Sequence, residues 1–131
     1  MIAIDTSAVF AIVAQEGERG PFIDILDAEK AMISAVTYVE TVMVLTGRSR
    51  RLASDRVNEL IRTFGIEIIP VDRPLAGAAV DAFDRYGKGR HPARLNLSDC
   101  FSYALAKSRD VPLLYKGDDF GRTDIVPAWR P

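Results

Sequence analysis

Short runs rich in apolar residues alternate with longer segments whose apolar residues recur at helical spacing. The runs are MIAI at residues 1–4, AMIS at 31–34, IEIIPVD at 66–72 and VPLLY at 111–115. Runs this short and this apolar are typical of strands buried on both faces of a parallel sheet. We therefore predict one α/β domain over residues 1–131, with a mostly parallel central sheet flanked by helices.

The segments between these runs predict the helices. Apolar spacing, caps and breakers place the helices at residues 8–15, 21–29, 36–47, 54–64, 75–86 and 98–109. Thr6 or Ser7 is expected to cap the first helix, and Gly65 is expected to end the fourth. Residues 86–96, YGKGRHPARLN, carry no regular pattern and predict a loop.

Composition and charge limit the kind of protein. The formal net charge of −1 argues against a broad basic surface, so contact with nucleic acid requires a local cluster of cations. The single cysteine, Cys100, cannot form an internal disulfide. The apolar amino-terminal stretch has no basic flank and is interrupted by Asp5, and other segments fall short of the roughly 20 apolar residues of a membrane span. We therefore expect a cytoplasmic protein that does not contact membranes.

Several acidic residues occupy positions that a parallel sheet brings to one edge. Asp5 ends the first predicted strand, and Asp118 and Asp119 follow the last one. Asp99 begins the helix that leads to the last strand, and such a helix must start at the edge where the strands end. Ligands of open α/β sheets bind at this edge, so the sequence predicts a site there.

Glu40 is unusual for a different reason. In the segment SAVTYVETVMVL it is aligned with Val36 and Met43, on an apolar stripe that is expected to face the core. An isolated carboxylate in such a position costs free energy. Ion pairing with Arg48 or Arg51 is the structural alternative to a functional role.

The other acids also have structural explanations. Asp5 and Asp99 are suited to helix caps, as is Ser98, and Asp118 or Asp119 is suited to a turn. Convergence favours a functional explanation, because carboxylates that meet at one edge repel one another unless a divalent cation compensates them. One histidine and one cysteine cannot build a zinc site. The predicted cofactor is therefore Mg²⁺, with Mn²⁺ as a substitute.

Four acid-containing segments follow one another along the chain. They are IDTSAV at the amino end, YVETVMVL, LNLSDCFSYALAK and LLYKGDDFGRTDI. In this order they resemble the acidic blocks of a PIN domain, specifically those of VapC-type ribonuclease toxins, over nearly the whole chain. The resemblance implies a Mg²⁺-dependent endoribonuclease that hydrolyses RNA phosphodiester bonds. It also implies a cognate VapB-type antitoxin that blocks the active site, and a homodimer.

By position, the resemblance assigns three catalytic and metal-binding acids, namely Asp5, Glu40 and Asp99. In the implied mechanism, Mg²⁺ bridged by Asp5 and Asp99 activates a water in line with the scissile phosphorus and neutralises the phosphate oxygens. Glu40 and a fourth acid then ligate through water, orient the nucleophile or bind a second metal. Thr6 is either a hydroxyl neighbour of the metal or phosphate, or simply the helix cap.

The fourth acid is assigned from the segment KGDDFGRTDI. The family pattern places an acid one or two residues before a Phe, here Phe120. Asp119 is therefore the predicted fourth catalytic and metal-binding residue. Asp118 is the reserve, and Asp124 is a more distant candidate.

A cluster of cations precedes Asp99 and is the predicted contact for the RNA backbone. The segment DRYGKGRHPAR contains Arg85, Lys88, Arg90, His91 and Arg94. Proximity to Asp99 favours phosphate binding, whereas a solvated surface loop is the alternative. Tyr86 either stacks on an unpaired base or packs inward. A second candidate patch, GRSRR, contains Arg48, Arg50 and Arg51.

Two functions of other classes are also compatible with the sequence. In a receiver-like signalling domain, Asp72 would accept a phosphoryl group and Lys116 would assist it. Against this, Asp5 is a single acid at the end of the first strand, where a receiver has an acidic pair. The other possibility is a catalytically inactive binding partner whose acids only cap helices. Phosphoryl transfer and Mg²⁺-dependent RNA cleavage are the assays that separate these functions.

Overall fold

Strands and helices alternate along the residues that the computed structural model describes, which are 1–47 and 52–131. The strands are β1 (Ile2–Ile4), β2 (Ala31–Ser34), β3 (Glu67–Ile69) and β4 (Leu113–Leu114). The helices are α1 (Thr6–Val13), α2 (Arg19–Ala28), α3 (Ala35–Thr46), α4 (Ala53–Phe64), α5 (Arg73–Tyr86) and α6 (Leu97–Arg109), and a short 3-10 helix spans Phe120–Arg122.

The four strands form one parallel sheet in the order β3-β2-β1-β4. Ala3 pairs with Met32 on one side and with Leu113 on the other, so β1 is a central strand. Because all strands run the same way, their carboxyl ends lie at one edge of the sheet. The predicted fold class, a single α/β domain with a parallel sheet flanked by helices, is confirmed.

Two helical layers cover the sheet, and the alternation of side chains along β1 explains why. Ile2 and Ile4 belong to the apolar cluster formed with α1, α2 and α4. Ala3 belongs to the cluster formed with α5 and α6 on the opposite face. Buried on both faces, β1 has to be apolar throughout, as its short run MIAI indicates.

The helix ends only partly follow the predictions. Gly65 adopts a left-handed conformation with φ +61° and ends α4, as expected. The cap of α1 is Asp5, not Thr6 or Ser7. Helix α6 is capped by Asn96 rather than by Ser98, with the Asp99 side chain as the second member of a capping box. A side chain that sits just before the first helical residue reaches the free backbone N–H groups, which explains both shifts.

The apolar stripe predicted on α3 does not face the core. Val39 and Met43 are exposed, at 53% and 68%, whereas Thr37 and Thr41 are fully buried. Packing of α3 against α1 and α6 pairs these threonine hydroxyls with hydroxyls on the neighbouring helices. The small polar face therefore makes the close contacts, and the placement of Glu40 on a core-facing apolar stripe is corrected.

Helix length also bears on membranes. Within residues 1–47 and 52–131, every helix is too short or too polar to cross a bilayer.

Candidate active site

A cavity of about 400 Å³ opens at the carboxyl edge of the sheet, and three predicted acids line it. Asp5 follows β1, Glu40 lies in the middle of α3, and Asp99 lies in the first turn of α6. The parallel sheet and the packing of α3 against α1 and α6 bring these three elements together. Residues separated by up to 94 positions thus share one site.

Asp5 is buried and held rigidly in the floor of this cavity. Only 2% of its surface is exposed. Its Oδ2 accepts hydrogen bonds from the backbone N–H of Ser7 at 3.0 Å and from the Ser7 hydroxyl at 2.7 Å. Its Oδ1 accepts a hydrogen bond from the Ser102 hydroxyl at 2.6 Å. These three bonds satisfy a buried carboxylate without a cationic partner.

The hydrogen-bond network continues through hydroxyl groups that the sequence analysis missed. The hydroxyls of Ser102 and Thr37 lie 3.0 Å apart, and Thr41 donates to the Thr6 hydroxyl at 3.0 Å. Thr41 also bonds to the carbonyl of Thr37 at 2.8 Å. The sequence feature that indicates this network is the four-residue spacing of Thr37 and Thr41, which puts two hydroxyls on one face of α3. This network connects α1, α3 and α6 beneath the acids.

Glu40 is half-buried on the wall of the cavity. Burial is the main cause that raises the pKa of its carboxyl, and the negative charge of Asp5 acts in the same direction. The hydroxyls of Thr6 and Ser98 oppose this rise. Glu40 is half-buried because its side chain lines the cavity, and not because it faces the core.

Asp99 combines the two roles that the sequence left open. It accepts a hydrogen bond from the backbone N–H of Asn96 at 3.0 Å, and Asn96 in turn accepts one from Asp99, which forms a capping box. Burial, followed by the charge of Asp5, raises the pKa of Asp99 to about 7. Glu40 and Asp119 add smaller contributions. The same carboxyl therefore takes part in the capping box and lies in surroundings that disfavour its charged form.

The candidates for the fourth acid differ in their surroundings. Asp119 is exposed just before the 3-10 helix, and its charge contributes to the raised pKa of Asp99. Asp124 accepts hydrogen bonds from the Tyr103 hydroxyl and from Lys107, which lower its pKa. Asp124 is thus engaged elsewhere. Within the described part of the chain, Asp118 and Asp119 are not among the residues that line the cavity, so Asp119 as the fourth acid stays a prediction.

Among residues 1–47 and 52–131, one cation lines the cavity beside the acids. Lys116 follows β4, and its Nζ lies 3.0 Å from Glu18 and 3.3 Å from Glu16.

The predicted receiver-like arrangement required Lys116 next to Asp72. These residues instead follow β4 and β3, the two outer strands of the sheet, roughly 14 Å apart at about 4.8 Å per strand. Asp72 caps α5 by accepting a hydrogen bond from Leu75, so the receiver-like alternative is not supported.

The predicted RNA-binding residues are distributed over two places. Thr6 lines the cavity, at 8% exposure, and its hydroxyl takes part in the buried network rather than capping α1. The remaining four predicted residues are exposed cations on the end of α5 and on the loop before α6. They are Arg85, Lys88, Arg90 and Arg94. Within the described part of the chain, these four are not among the residues that line the cavity.

The aromatic residue of this loop is in the core. Tyr86 is 9% exposed and packs against His91 and Tyr103, so of the two predicted roles it has the inward one. Arg85 lies over its ring at 4.9 Å. The second candidate patch, Arg48, Arg50 and Arg51, lies outside the described residues, as does the proposed ion pairing of Glu40 with Arg48 or Arg51.

The donors at this site suit a hard divalent cation. Carboxylate oxygens are the ligands that Mg²⁺ and Mn²⁺ prefer. A cation would favour the charged form of Asp99, which burial and the charge of Asp5 disfavour. In residues 1–47 and 52–131, no three His, Cys, Asp or Glu side chains are close enough to hold a metal as they stand. Asp5, Glu40 and Asp99 are the predicted acids in the cavity that would hold such a cation.

Fold and site together define a class: single-domain α/β proteins with carboxylates gathered at the carboxyl edge of a short parallel sheet. The family model described as PIN domain matches residues 2–126. The chain therefore belongs to the PIN domain family, as its four acidic segments predict.

Individual proteins narrow this assignment. The chain is 42% identical over 127 residues to "Ribonuclease VapC42" of Mycobacterium tuberculosis, covering 95% of this chain and 97% of that protein. The crystal structure of Mycobacterium tuberculosis VapC20, titled a sarcin-ricin loop cleaving toxin, superposes with a TM-score of 0.78 at 18% identity, covering 96% and 97% of the two chains. A structure titled as a toxin-antitoxin complex from Klebsiella pneumoniae has a TM-score of 0.69 at 20% identity, covering 95% and 93%. The predicted resemblance to VapC proteins is confirmed.

Proposed function

We propose that this chain is a Mg²⁺-dependent endoribonuclease and the toxin of a VapBC-type toxin-antitoxin pair. The observation that carries the proposal is the cavity lined by Asp5, Glu40 and Asp99 at the carboxyl edge of the sheet. The name of its relative VapC42, a ribonuclease, supports RNA as the substrate.

The proposed metal ligands are Asp5 and Asp99, with Glu40 and Asp119 completing the catalytic set. A bound divalent cation supplies positive charge for the scissile phosphate and lowers the pKa of water. Asp5 contributes rigidity, because its three hydrogen bonds hold both carboxylate oxygens in place. Asp99, whose pKa is raised by burial and by the charge of Asp5, would be kept ionised by a bound cation. Glu40, which lines the same cavity, would orient the attacking water or accept a proton from it.

Metal removal is the first test of this function. Purified protein freed of any partner is expected to cleave single-stranded RNA with Mg²⁺ or Mn²⁺ and to stop when EDTA is added, because uncompensated carboxylates repel the phosphate. Cleavage is followed by electrophoresis of an end-labelled RNA. Readdition of Mg²⁺ in excess over EDTA serves as the control for irreversible damage. Cleavage that persists in EDTA would rule out the metal mechanism.

The exposed cations before α6 are the proposed contacts for the RNA backbone. Replacing Arg85, Arg90 and Arg94 together by Ala is expected to weaken RNA binding and to flatten its dependence on salt, since fewer counterions are released. Fluorescence anisotropy at several salt concentrations measures both quantities. The matched control is Lys30→Ala with Arg62→Ala and Arg109→Ala, which also removes three positive charges. An equal salt slope in both triple variants would assign the loop no specific role.

The proposed partners are a VapB-type antitoxin and a second copy of the chain, in the cytoplasm. The toxin-antitoxin complex among the solved structures supports the first. Large apolar side chains exposed on α3 and α5, including Met43 and Val80, favour association with another protein surface.

A further inference from the structure

Lys116 lies in the cavity, and the proposed nuclease function does not yet give it a role. It lines the same cavity as Asp5, Glu40 and Asp99, and its ammonium group is paired with Glu16 and Glu18. Both glutamates belong to the connection between α1 and α2, on the rim of the site. A cation is thus held at the entrance of an acidic cavity by two carboxylates that belong to the protein itself.

The backbone of Lys116 is fixed to the site by a short chain of hydrogen bonds. Its N–H donates to the Ser7 hydroxyl at 3.0 Å, and that hydroxyl donates to Asp5 Oδ2 at 2.7 Å. The next residue, Gly117, has φ +104°, a conformation that residues with a side chain rarely adopt. The main chain is therefore anchored one hydroxyl away from a proposed metal ligand, and the flexible side chain is the part that can move.

The ion pairs of Lys116 are easily exchanged. The lysine side chain is 36% exposed, and its partners Glu16 and Glu18 are 34% and 25% exposed. Ion pairs with this much solvent access contribute little net stability. A phosphate oxygen of an incoming RNA can therefore replace the Glu16 oxygen without a large loss. Release from Glu18 costs more, because the Oε2 atom of Glu18 is buried and would be left without its partner.

We propose that Lys116 is a substrate-binding residue that moves from Glu16 and Glu18 to a phosphate of the RNA. This inference rests on the proposed nuclease function. The two glutamates hold the lysine in the absence of substrate and oppose RNA binding, while the lysine draws the phosphate toward the carboxylate site. Lys116 thus offsets part of the repulsion between an acidic cavity and a polyanionic substrate.

The alternative is that Lys116 only tethers the connection between α1 and α2. The two explanations predict opposite effects on RNA binding when the two glutamates are neutralised. A tether is lost equally when the lysine or its two partners are neutralised, so both changes impair RNA binding. In the exchange, Lys116→Met weakens RNA binding, whereas Glu16→Gln combined with Glu18→Gln strengthens it.

The experiment measures binding of a fluorescent single-stranded RNA in EDTA, together with Mg²⁺-dependent cleavage. Lys116→Met is expected to weaken binding and raise the KM for cleavage about tenfold, with a smaller effect on kcat, and Lys116→Arg is expected to restore much of both. The matched control is Lys107→Met, because Lys107 is also ion-paired, 3.2 Å from Asp124, but distant from the cavity lining. The glutamine pair is expected to tighten binding several-fold, and to do so much less in a protein that also carries Lys116→Met.

The outcomes separate the inference from the proposed function. Weaker binding in both Lys116→Met and the glutamine pair would overturn the exchange and establish a tether. An effect of Lys116→Met no larger than that of Lys107→Met would overturn any substrate contact, while the parent protein still cleaves RNA. Thermal melts of all variants identify a folding defect. If Lys116→Met is misfolded, binding and cleavage by the Lys116→Arg protein are compared with those of the parent instead. Failure of the parent protein to cleave RNA would reject the nuclease function itself.

Discussion

Asp5→Asn and Asp99→Asn are each expected to reduce the rate of RNA cleavage by about a thousandfold or more. Both substitutions remove a negative charge from the cavity while retaining the size of the side chain and an oxygen that accepts hydrogen bonds. Asp5 is held by Ser7 and Ser102, so the neutral amide is expected to occupy nearly the same position. Single-turnover cleavage of a labelled RNA with Mg²⁺ measures the loss.

Two adjacent acids provide the matched comparison. Asp119→Asn is expected to reduce cleavage strongly, whereas Asp118→Asn, one residue away, is expected to have little effect, because only the charge of Asp119 is among the causes of the raised pKa of Asp99. Cys100→Ala controls for disturbance of α6; burial raises the pKa of this thiol to about 11, which keeps it protonated. Normal activity in Asp5→Asn would contradict the carboxylate mechanism. Full activity in Asp119→Asn would show that Asp119 is not the fourth acid and would leave Asp118 as the candidate.

The second large effect is expected for Asp99→Asn on the free energy of unfolding, and it depends on pH. In the folded protein the pKa of Asp99 is raised to about 7 from its ordinary value of 3.8, so the folded state binds a proton more tightly than the unfolded state. The metal-free protein is therefore expected to lose stability as pH rises from about 4 to about 7. Asp99→Asn removes this loss. At pH 8 the variant is expected to be more stable than the parent, by on the order of 1–2 kcal/mol after allowance for solvent screening.

Magnesium is expected to reverse this order. Binding to the native parent adds about 2.7 kcal/mol at a concentration one hundred times the dissociation constant, whereas the variant lacks a principal ligand. Thermal melts of both proteins at pH 5 and pH 8, in EDTA and in excess Mg²⁺, measure the effect. Denaturant titrations at the same pH values convert the shifts into free energies of unfolding.

Equal stabilisation of both proteins by Mg²⁺ would show that Asp99 is not a principal ligand. Its capping of α6 would then be its main role. An Asn at this position keeps an acceptor for the Asn96 N–H, so the capping contribution by itself predicts little difference between the two proteins at any pH. Capping and repulsion are thereby separated.

Local patterns predicted much of the scaffold and of the acid placement. The strand at residues 31–34 was predicted with its observed bounds, and Gly65 ends α4 as expected. Asp5 and Asp99 were predicted to share an edge from chain direction alone, because a helix that leads to a parallel strand must begin where the neighbouring strands end. These features depend on residues close in sequence and on the connectivity of parallel sheets, which leaves few alternatives.

Apolar periodicity was misleading for α3. It indicates that one face differs from the other, but it does not say which face finds a partner. Thr37 and Thr41 are buried because Ser102 and Thr6 lie opposite them, while Val39 is left exposed. Hydroxyl pairs of this kind form between helices that are distant in sequence, so a single segment cannot reveal them.

The sequence by itself determined a parallel α/β domain with acids at the carboxyl edge, because strand hydrophobicity, helix signals and strand-end positions are local properties. The PIN family was predicted separately, from the resemblance of four acidic segments, and the family model confirms it. Only the tertiary structure decided which hydroxyls hold Asp5, which face of α3 is buried and which carboxylates hold Lys116. The hydrogen bond from Ser102 to Asp5 spans 97 positions, and the bond from Lys116 to Ser7 spans 109. Such contacts exist only after helices and strands pack, since their geometry is set by the whole fold and not by any neighbouring residues.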